Sequence, residues 1–275
     1  MKFALIGDIH AYWDKEDIDY FNSSDYDFLF FTGDINGTPL QKKVSFEGLT
    51  KRAYLIPGNW DSTSLIGIIG EVIQSKNLIR LGQIGQNRRS KIFVNQIQPL
   101  SVMGYSTITV SKELDLSLLV GRPYAMGGGL SFAPNLRKNY FVSTMEESIE
   151  KYKSLIQGVK EKNIFILSHN GPFGLGAEPK SMYGADFKKS GGDWGDLDLQ
   201  EAIKFAKQIG KKVPVVMSGH MHHKVSKKKE RETLQYTGGT FYINGAKVPR
   251  IQEGKRFHTK IEWNGGSATV IPIWV

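Results

Sequence analysis

The chain is predicted to fold as an α/β protein of stacked sheets and helices. Short apolar runs at 3–6, 28–31, 53–56, 164–167 and 213–217 are each followed within two residues by Gly or His. They have the length and composition of strands buried on both faces. Stretches of helical character separate them, at 15–21, 40–49, 62–75, 144–160 and 197–208, with Asp196 or Asp198 as the cap of the last. Such alternation builds layered α/β domains whose polar residues emerge at strand carboxyl ends, where ligands of these sheets bind.

From about 78 to 136 the pattern changes to strand-like runs, 91–97 and 116–120, broken by Gly127-Gly128-Gly129 and several prolines. This reads as a loop-rich β insertion. The late segments 233–237, 240–243, 257–263 and 268–273 are short and β-branched, and are expected to form a second, antiparallel sheet. Repeats, low-complexity tracts and a clean linker are absent from the sequence, so 1–275 is expected to be one domain.

Composition narrows the function. With 40% hydrophobic and 23% charged residues in 275, the chain has ordinary globular character rather than that of a disordered or fibrous protein. Cysteine is absent, which removes disulfides, thiolate metal sites and thiol nucleophiles, and fits a reducing, cytoplasmic setting. No apolar window reaches the roughly 20 residues of a membrane span, so no membrane partner is expected. A net charge of +9 favours anionic ligands. The basic residues are mostly dispersed, with Lys227-Lys228-Lys229 the only run, and nucleic acid ranks below small phosphorylated molecules.

The chemistry lies at the strand ends. Asp8-Ile9-His10 follows the first run, Gly33-Asp34 the second and Gly58-Asn59-Trp60-Asp61 the third. Ser168-His169-Asn170-Gly171 follows the fourth and Gly219-His220-Met221-His222 the fifth. One Asp or His at a strand end is usually a cap or turn residue. Five in succession are better explained by a shared site, and oxygen and imidazole donors without sulfur suit two divalent ions of the Mn, Fe or Zn type. Two cations about 4 Å apart lower the pKa of a bridging water and neutralise phosphoryl oxygens.

These blocks resemble the calcineurin-like metallophosphoesterase superfamily, whose pattern is D-x-H, G-D, G-N-H-D/E, a lone H and G-H-x-H. The match runs in order from Met1 to about Lys224. Through His169-Asn170-Gly171-Pro172, Gly191-Gly192-Asp193 and the Gly-His-Met-His-His block, the chain further resembles a subgroup common in cyanobacteria and plants. The resemblance implies a four-layer α/β/β/α sandwich of two mixed sheets with a dinuclear centre at one edge. It assigns Asp8, His10, Asp34 and His222 to one ion and Asp34, Asn59, His169 and His220 to the other, with Asp34 bridging. The implied reaction is hydrolysis of a phosphomonoester, phosphodiester or pyrophosphate bond by a metal-bridging hydroxide, with manganese as a natural test metal.

One position departs from the pattern. The family's His after the Asn, its usual proton donor to the leaving oxygen, is Trp60 here. Indole donates a hydrogen bond but transfers no proton at neutral pH, so general-acid help of roughly 10²–10⁴-fold is at stake. Asp61, which would orient that His, loses its partner; either the leaving group needs no proton or another residue such as His223 donates it. Arg122, Asn170 and Trp60 itself are candidates for contact with substrate. The competing reading is an interaction module that keeps its metals but has reduced or lost turnover.

Overall fold

The computed structural model describes residues 1–37, 43–129, 131–188, 190–226 and 229–275. It begins with β1 (Lys2–Ile6), α1 (Lys15–Ser23), β2 (Phe28–Phe31) and β3 (Arg52–Leu55), then a 3-10 turn at Asn59–Asp61. Helices α2 (Leu65–Val72), α3 (Lys76–Gly82) and α4 (Gln86–Gln96) precede β4 (Ser101–Val102), β5 (Ser106–Ser111) and β6 (Leu116–Val120). Next come α5 (Pro134–Tyr140), α6 (Met145–Gly158), β7 (Asn163–Leu167), α7 (Leu197–Gln208) and β8 (Lys212–Ser218). The remainder is β9 (Lys224–Ser226), β10 (Lys229–Glu230), β11 (Leu234–Thr237), β12 (Thr240–Asn244), β13 (Ile251–Gln252), β14 (Lys255–Trp263) and β15 (Ala268–Trp274). Among the described residues no helix is long and apolar enough to cross a membrane.

Two mixed sheets result. The first runs β13-β14-β1-β2-β3-β4 with β15 also on β14, and the second β11-β12-β8-β7-β6-β5. The central strands β1, β2 and β3 are parallel to one another, as are β6, β7, β8 and β12, and each sheet carries antiparallel strands at its margins. Because side chains alternate across a strand, each sheet offers two apolar faces. Phe3, Leu5, Phe28 and Phe30 of the first sheet meet Leu118, Phe165, Leu167 and Val215 of the second in the inter-sheet core. The alternate residues Ala4, Ile6, Leu29 and Phe31 face outward onto Trp13, Phe21 and Phe93. On the far side Ile164, Ile166 and Val216 pack against Tyr152, Ile156, Leu199 and Ala202 of α6 and α7. The order is helix, sheet, sheet, helix, as the family resemblance implied.

Several local expectations change. The apolar run 91–97 is not a strand; most of it lies in α4, where Gln86, Ser90 and Phe93 are buried and Ile97 follows at the C-cap. Their spacing of four, three and four is the helical period, which the apolar cluster at 92–94 obscured. The late strands do not form a sheet of their own: β11 and β12 extend the second sheet, while β14 and β15 extend the first. The expected helix 40–49 falls in part on 38–42, outside the described residues, and 43–49 is non-helical. The expected helix 62–75 is shorter, Leu65–Val72, and a separate helix follows it, because the Ser75 hydroxyl accepts from the Leu78 amide and caps α3. Lys227 and Lys228 of the basic run also lie outside the described residues.

Arg122, expected at the substrate, is instead a tie inside the second helical layer. Its Nε donates to Asp198 at 2.8 Å and its Nη2 lies 2.8 Å from Asp196, all three side chains being buried. Asp196 holds the N-cap position of α7 but makes no side-chain cap bond. The guanidinium also sits over the Phe132 ring at 4.8 Å. Arg122→Met would strand two buried carboxylates, and we expect a loss of about 3–5 kcal/mol in urea unfolding with metal binding by the folded protein unchanged. A loss below about 1 kcal/mol would contradict this placement.

Candidate metal centre

The parallel strands of both sheets point their carboxyl ends at one edge, and the loops that follow them meet there. β1 delivers Asp8 and His10, β2 delivers Asp34, and β3 delivers Asn59, Trp60 and Asp61. From the other sheet β7 delivers His169 and β8 delivers His220 and His222. Two hydrogen bonds join the sheets at this point: His169 Nδ1 donates to the Thr32 carbonyl at 2.6 Å, and the His220 amide donates to Asp8 Oδ2 at 2.9 Å. The first leaves the His169 Nε2 lone pair free to bind a metal.

The turns are strained in the manner of functional loops. Asp8, His10, Asp34 and His220 all have positive φ, at 35°, 43°, 49° and 69°. At the same edge Gly58 and Gly219 serve by being small. A Cβ on Gly58 would lie 2.1 Å from Asp34 Oδ1, and one on Gly219 would lie 2.1 Å from Asp8 Oδ1.

Two clusters of donor atoms emerge. Asp8, His10 and His222 form one, Asp34, His169 and His220 the other, each with ligand atoms within 4.8 Å of one another. The Nε2 atoms of His10 and His222 face each other at 3.0 Å. Asn59 Oδ1 joins the second cluster, 2.8 Å from His169 Nε2 and 3.2 Å from His220 Nδ1. Between the clusters stands Asp34: its Oδ2 is 3.8 Å from His10 Nε2 and 3.7 Å from His169 Nε2, while its Oδ1 accepts the Trp60 amide at 2.9 Å. The seven residues predicted as ligands are thus brought together.

Charge decides what this arrangement fits. Elsewhere in the interior, Asp17 pairs with Arg250 at 2.7 Å and Asp196 and Asp198 pair with Arg122, while Glu161 is held by the Ser117 and Thr109 hydroxyls. Asp8, Asp34, Asp61 and Glu71 have no Lys or Arg within 4 Å among the described residues. Burial accordingly pushes Asp8 and Asp61 up to about 7 and Glu71 up to about 8, with Asp34 well above the usual carboxylate range. Burial lowers His10 to about 3 and His169 to about 4, so the imidazoles are neutral donors. Acids without protein cations beside neutral imidazoles are the donor set that divalent ions require. The residues present therefore fit two such ions.

The remaining predicted residues sit elsewhere. Both Asp61 oxygens are engaged by backbone amides, Oδ2 by Asp34 and Gly58 at 2.9 and 2.8 Å and Oδ1 by Ile35 at 2.9 Å. Asp61 therefore clamps the β2 and β3 loops together, and its carboxylate is unavailable to a reacting group. His223 is buried, accepts the Val248 amide at 3.2 Å and does not line the cleft, which removes it as proton donor. Asn170 is also buried, its amide donating to the Trp194 carbonyl at 2.9 Å, so it supports the cleft wall from behind. Trp60 does line the cleft and meets His10 edge-on at 5.0 Å between ring centroids.

Sequence reasoning missed Glu71. It comes from α2, lines the cleft, accepts from Asn59 Nδ2 at 2.6 Å and lies 3.6 Å from His220 Nε2. The first contact fixes the Asn59 amide with Oδ1 toward the metal side; the second leaves His220 Nδ1 on that side. The available signal was an acid alone in an apolar stretch, since no other occurs between Asp61 and Glu113.

A family model described as calcineurin-like phosphoesterase matches residues 1–224. Among solved structures, PhoD superposes with a TM-score of 0.54 at 10% identity, covering 98% of this chain and 68% of that one. A dimetal phosphatase from Danio rerio gives 0.46 at 10% identity with 98% of each chain covered. An archaeal phosphodiesterase gives 0.39 at 12% identity, covering 99% of this chain and 100% of that one. At these identities the likeness is one of fold, carried by the first. No curated protein matches the chain by sequence.

Glu71→Ala should weaken metal binding about 10–100-fold in a chelator competition, because Asn59 and His220 lose a common partner. Glu71→Gln, which can still accept from Asn59, should recover part of that loss. Equal affinity in all three proteins would show that Glu71 positions neither ligand.

Proposed function

Because the chain belongs to the calcineurin-like phosphoesterase family and is a metal-dependent phosphoester hydrolase, we propose that it cleaves small phosphoesters whose leaving group departs without protonation. The observation that carries this reading is the pairing of an intact donor set, centred on Asp34 between its two clusters, with Trp60 where a proton donor is expected. We assign Asp8, His10, Asp34 and His222 to one ion and Asp34, Asn59, His169 and His220 to the other. Oxygen and imidazole donors without sulfur suit Mn, Fe or Zn. When bound, the two ions supply a nucleophilic water at neutral pH and neutralise phosphoryl oxygens.

The chain's own residues hold and shape. Asp61 keeps the Asp34 and Asn59 loops in register through its three backbone contacts. Trp60, Ile68, Val72, Phe187, Trp194 and Met221 give the cleft, about 280 Å³, apolar walls. Such apolar walls lower the local polarity and strengthen charge interactions beside them. Arg231 lines the cleft too, yet its Nε donates to the His222 carbonyl at 2.9 Å and its Nη1 to the Gly184 carbonyl at 2.8 Å. It orders the loop that carries His222, and among the described lining residues Lys224 is left as the cation to meet an anionic substrate.

Among the described cleft residues outside the donor clusters, only Asp186 and Glu71 are acids, and Glu71 is engaged by Asn59. A phosphodiester with a stable leaving anion, or a pyrophosphate bond whose leaving group is itself a phosphate, needs no proton from the protein. An alkyl monoester does. Across a series of aryl phosphodiesters with Mn present, kcat/KM should fall steeply as the leaving-group pKa rises, and Trp60→His should flatten that slope by raising the slowest members about 10-fold or more. Asp34→Asn should abolish turnover throughout the series. A shallow slope in the unaltered protein would overturn the leaving-group argument; no turnover with two ions bound would leave the interaction-module reading.

A further inference from the structure

Helix α2 is built inside out. Its inward positions include Gly67 and Gly70, while Leu65, Ile66, Ile69 and Val72, with Ile73 at its C-cap, are between 46 and 63% exposed. These positions share one helical face. The glycines explain the inversion: a Cβ on Gly82 of α3 would lie 2.2 Å from Gly67 Cα, and one on Gly70 would lie 2.7 Å from the Ile79 amide. The α2–α3 pair packs backbone to backbone, and its large apolar side chains have nowhere to go but outward. Leu81 of α3, Ile84 after it and Ile92 of α4 are also at least half exposed. An exposed apolar helix face of this kind marks a contact site.

The charges around the patch identify the partner. Lys76, Arg80, Arg88 and Lys91 are exposed on the same helices. The only acid between Asp61 and Glu113 is Glu71, which is turned into the cleft. An apolar helical face set among cations is the pattern of a segment that lies in the interface of an anionic bilayer. A second copy of the chain fits less well, since a two-fold contact would bring these cations together without acids to oppose them. The same helix also reaches the reaction site: Ile68 and Val72 line the cleft, and Glu71 touches Asn59 and His220.

We propose that α2, with the adjoining parts of α3 and α4, docks on an anionic phospholipid surface and presents the cleft to a phosphorylated headgroup carried by a lipid, again one whose leaving group departs without protonation. The absence of a spanning segment, which led the sequence to be read as having no membrane partner, does not bear on a helix that lies on the surface. The substrate half rests on the phosphoesterase reading; the docking half does not.

The test is sedimentation of the full chain with vesicles of phosphatidylcholine, with and without phosphatidylglycerol. The chain should bind the anionic vesicles and not the neutral ones. Ile69→Gln/Ile73→Gln, at two exposed positions outside the cleft, should weaken that binding about 10-fold or more, while hydrolysis of a soluble aryl diester stays unchanged. Asp34→Asn should bind vesicles like the unaltered chain, so that a failed turnover assay and a failed docking assay are told apart. Absence of vesicle binding, equal binding by the Ile69/Ile73 variant, or a solution dimer that this variant dissociates would overturn the proposal.

Discussion

Four carboxyl groups, Asp8, Asp34, Asp61 and Glu71, converge at one edge of two sheets with no lysine or arginine beside them among the described residues. Bringing one acid into such a place is costly, and like charges nearby add to the cost. Asp17, Asp196 and Asp198 are each matched by a guanidinium and Glu161 by two hydroxyls, whereas at this edge three buried aspartates and Glu71 crowd together with their charge unopposed by the described cations. Cations from outside the chain resolve it, and the surrounding features follow: neutral imidazoles, an asparagine turned by Glu71, and glycines too crowded for a Cβ.

The scaffold makes the convergence possible. Parallel strands send successive loops to the same edge, and two such sheets face to face bring three loops of one against two of the other. Cross-sheet bonds from His169 to Thr32 and from His220 to Asp8 lock the halves at the point where the donors meet. Positive φ at Asp8, His10, Asp34 and His220 is tolerated because the backbone around them is held from several sides. Binding energy from the ions would add to that hold.

Much of this was legible in the sequence, and the reasons are physical. Buried parallel strands are nearly continuous apolar runs, so 28–31 was found residue for residue as Phe28–Phe31. Donors at five strand ends carried their own context, and all seven come together. What failed depended on three-dimensional partners. Arg122 looked like an anion clamp until Asp196 and Asp198 were seen to claim it. His223 follows His222 in sequence yet packs toward Val248, because neighbouring residues of a loop face different ways. Glu71 was invisible because nothing in a linear reading places α2 beside Asn59. The strands from 234 onward were found but misassigned, since pairing partners are chosen by sheets already in place.

In the proposed assignment Asp34 joins two ions into one unit. Electron paramagnetic resonance of the metal-stripped chain reloaded with two equivalents of Mn(II) tests it directly. The expected spectrum is that of an exchange-coupled pair, replaced in Asp34→Asn by that of uncoupled Mn(II). An uncoupled spectrum from the unaltered chain with two ions bound would contradict it.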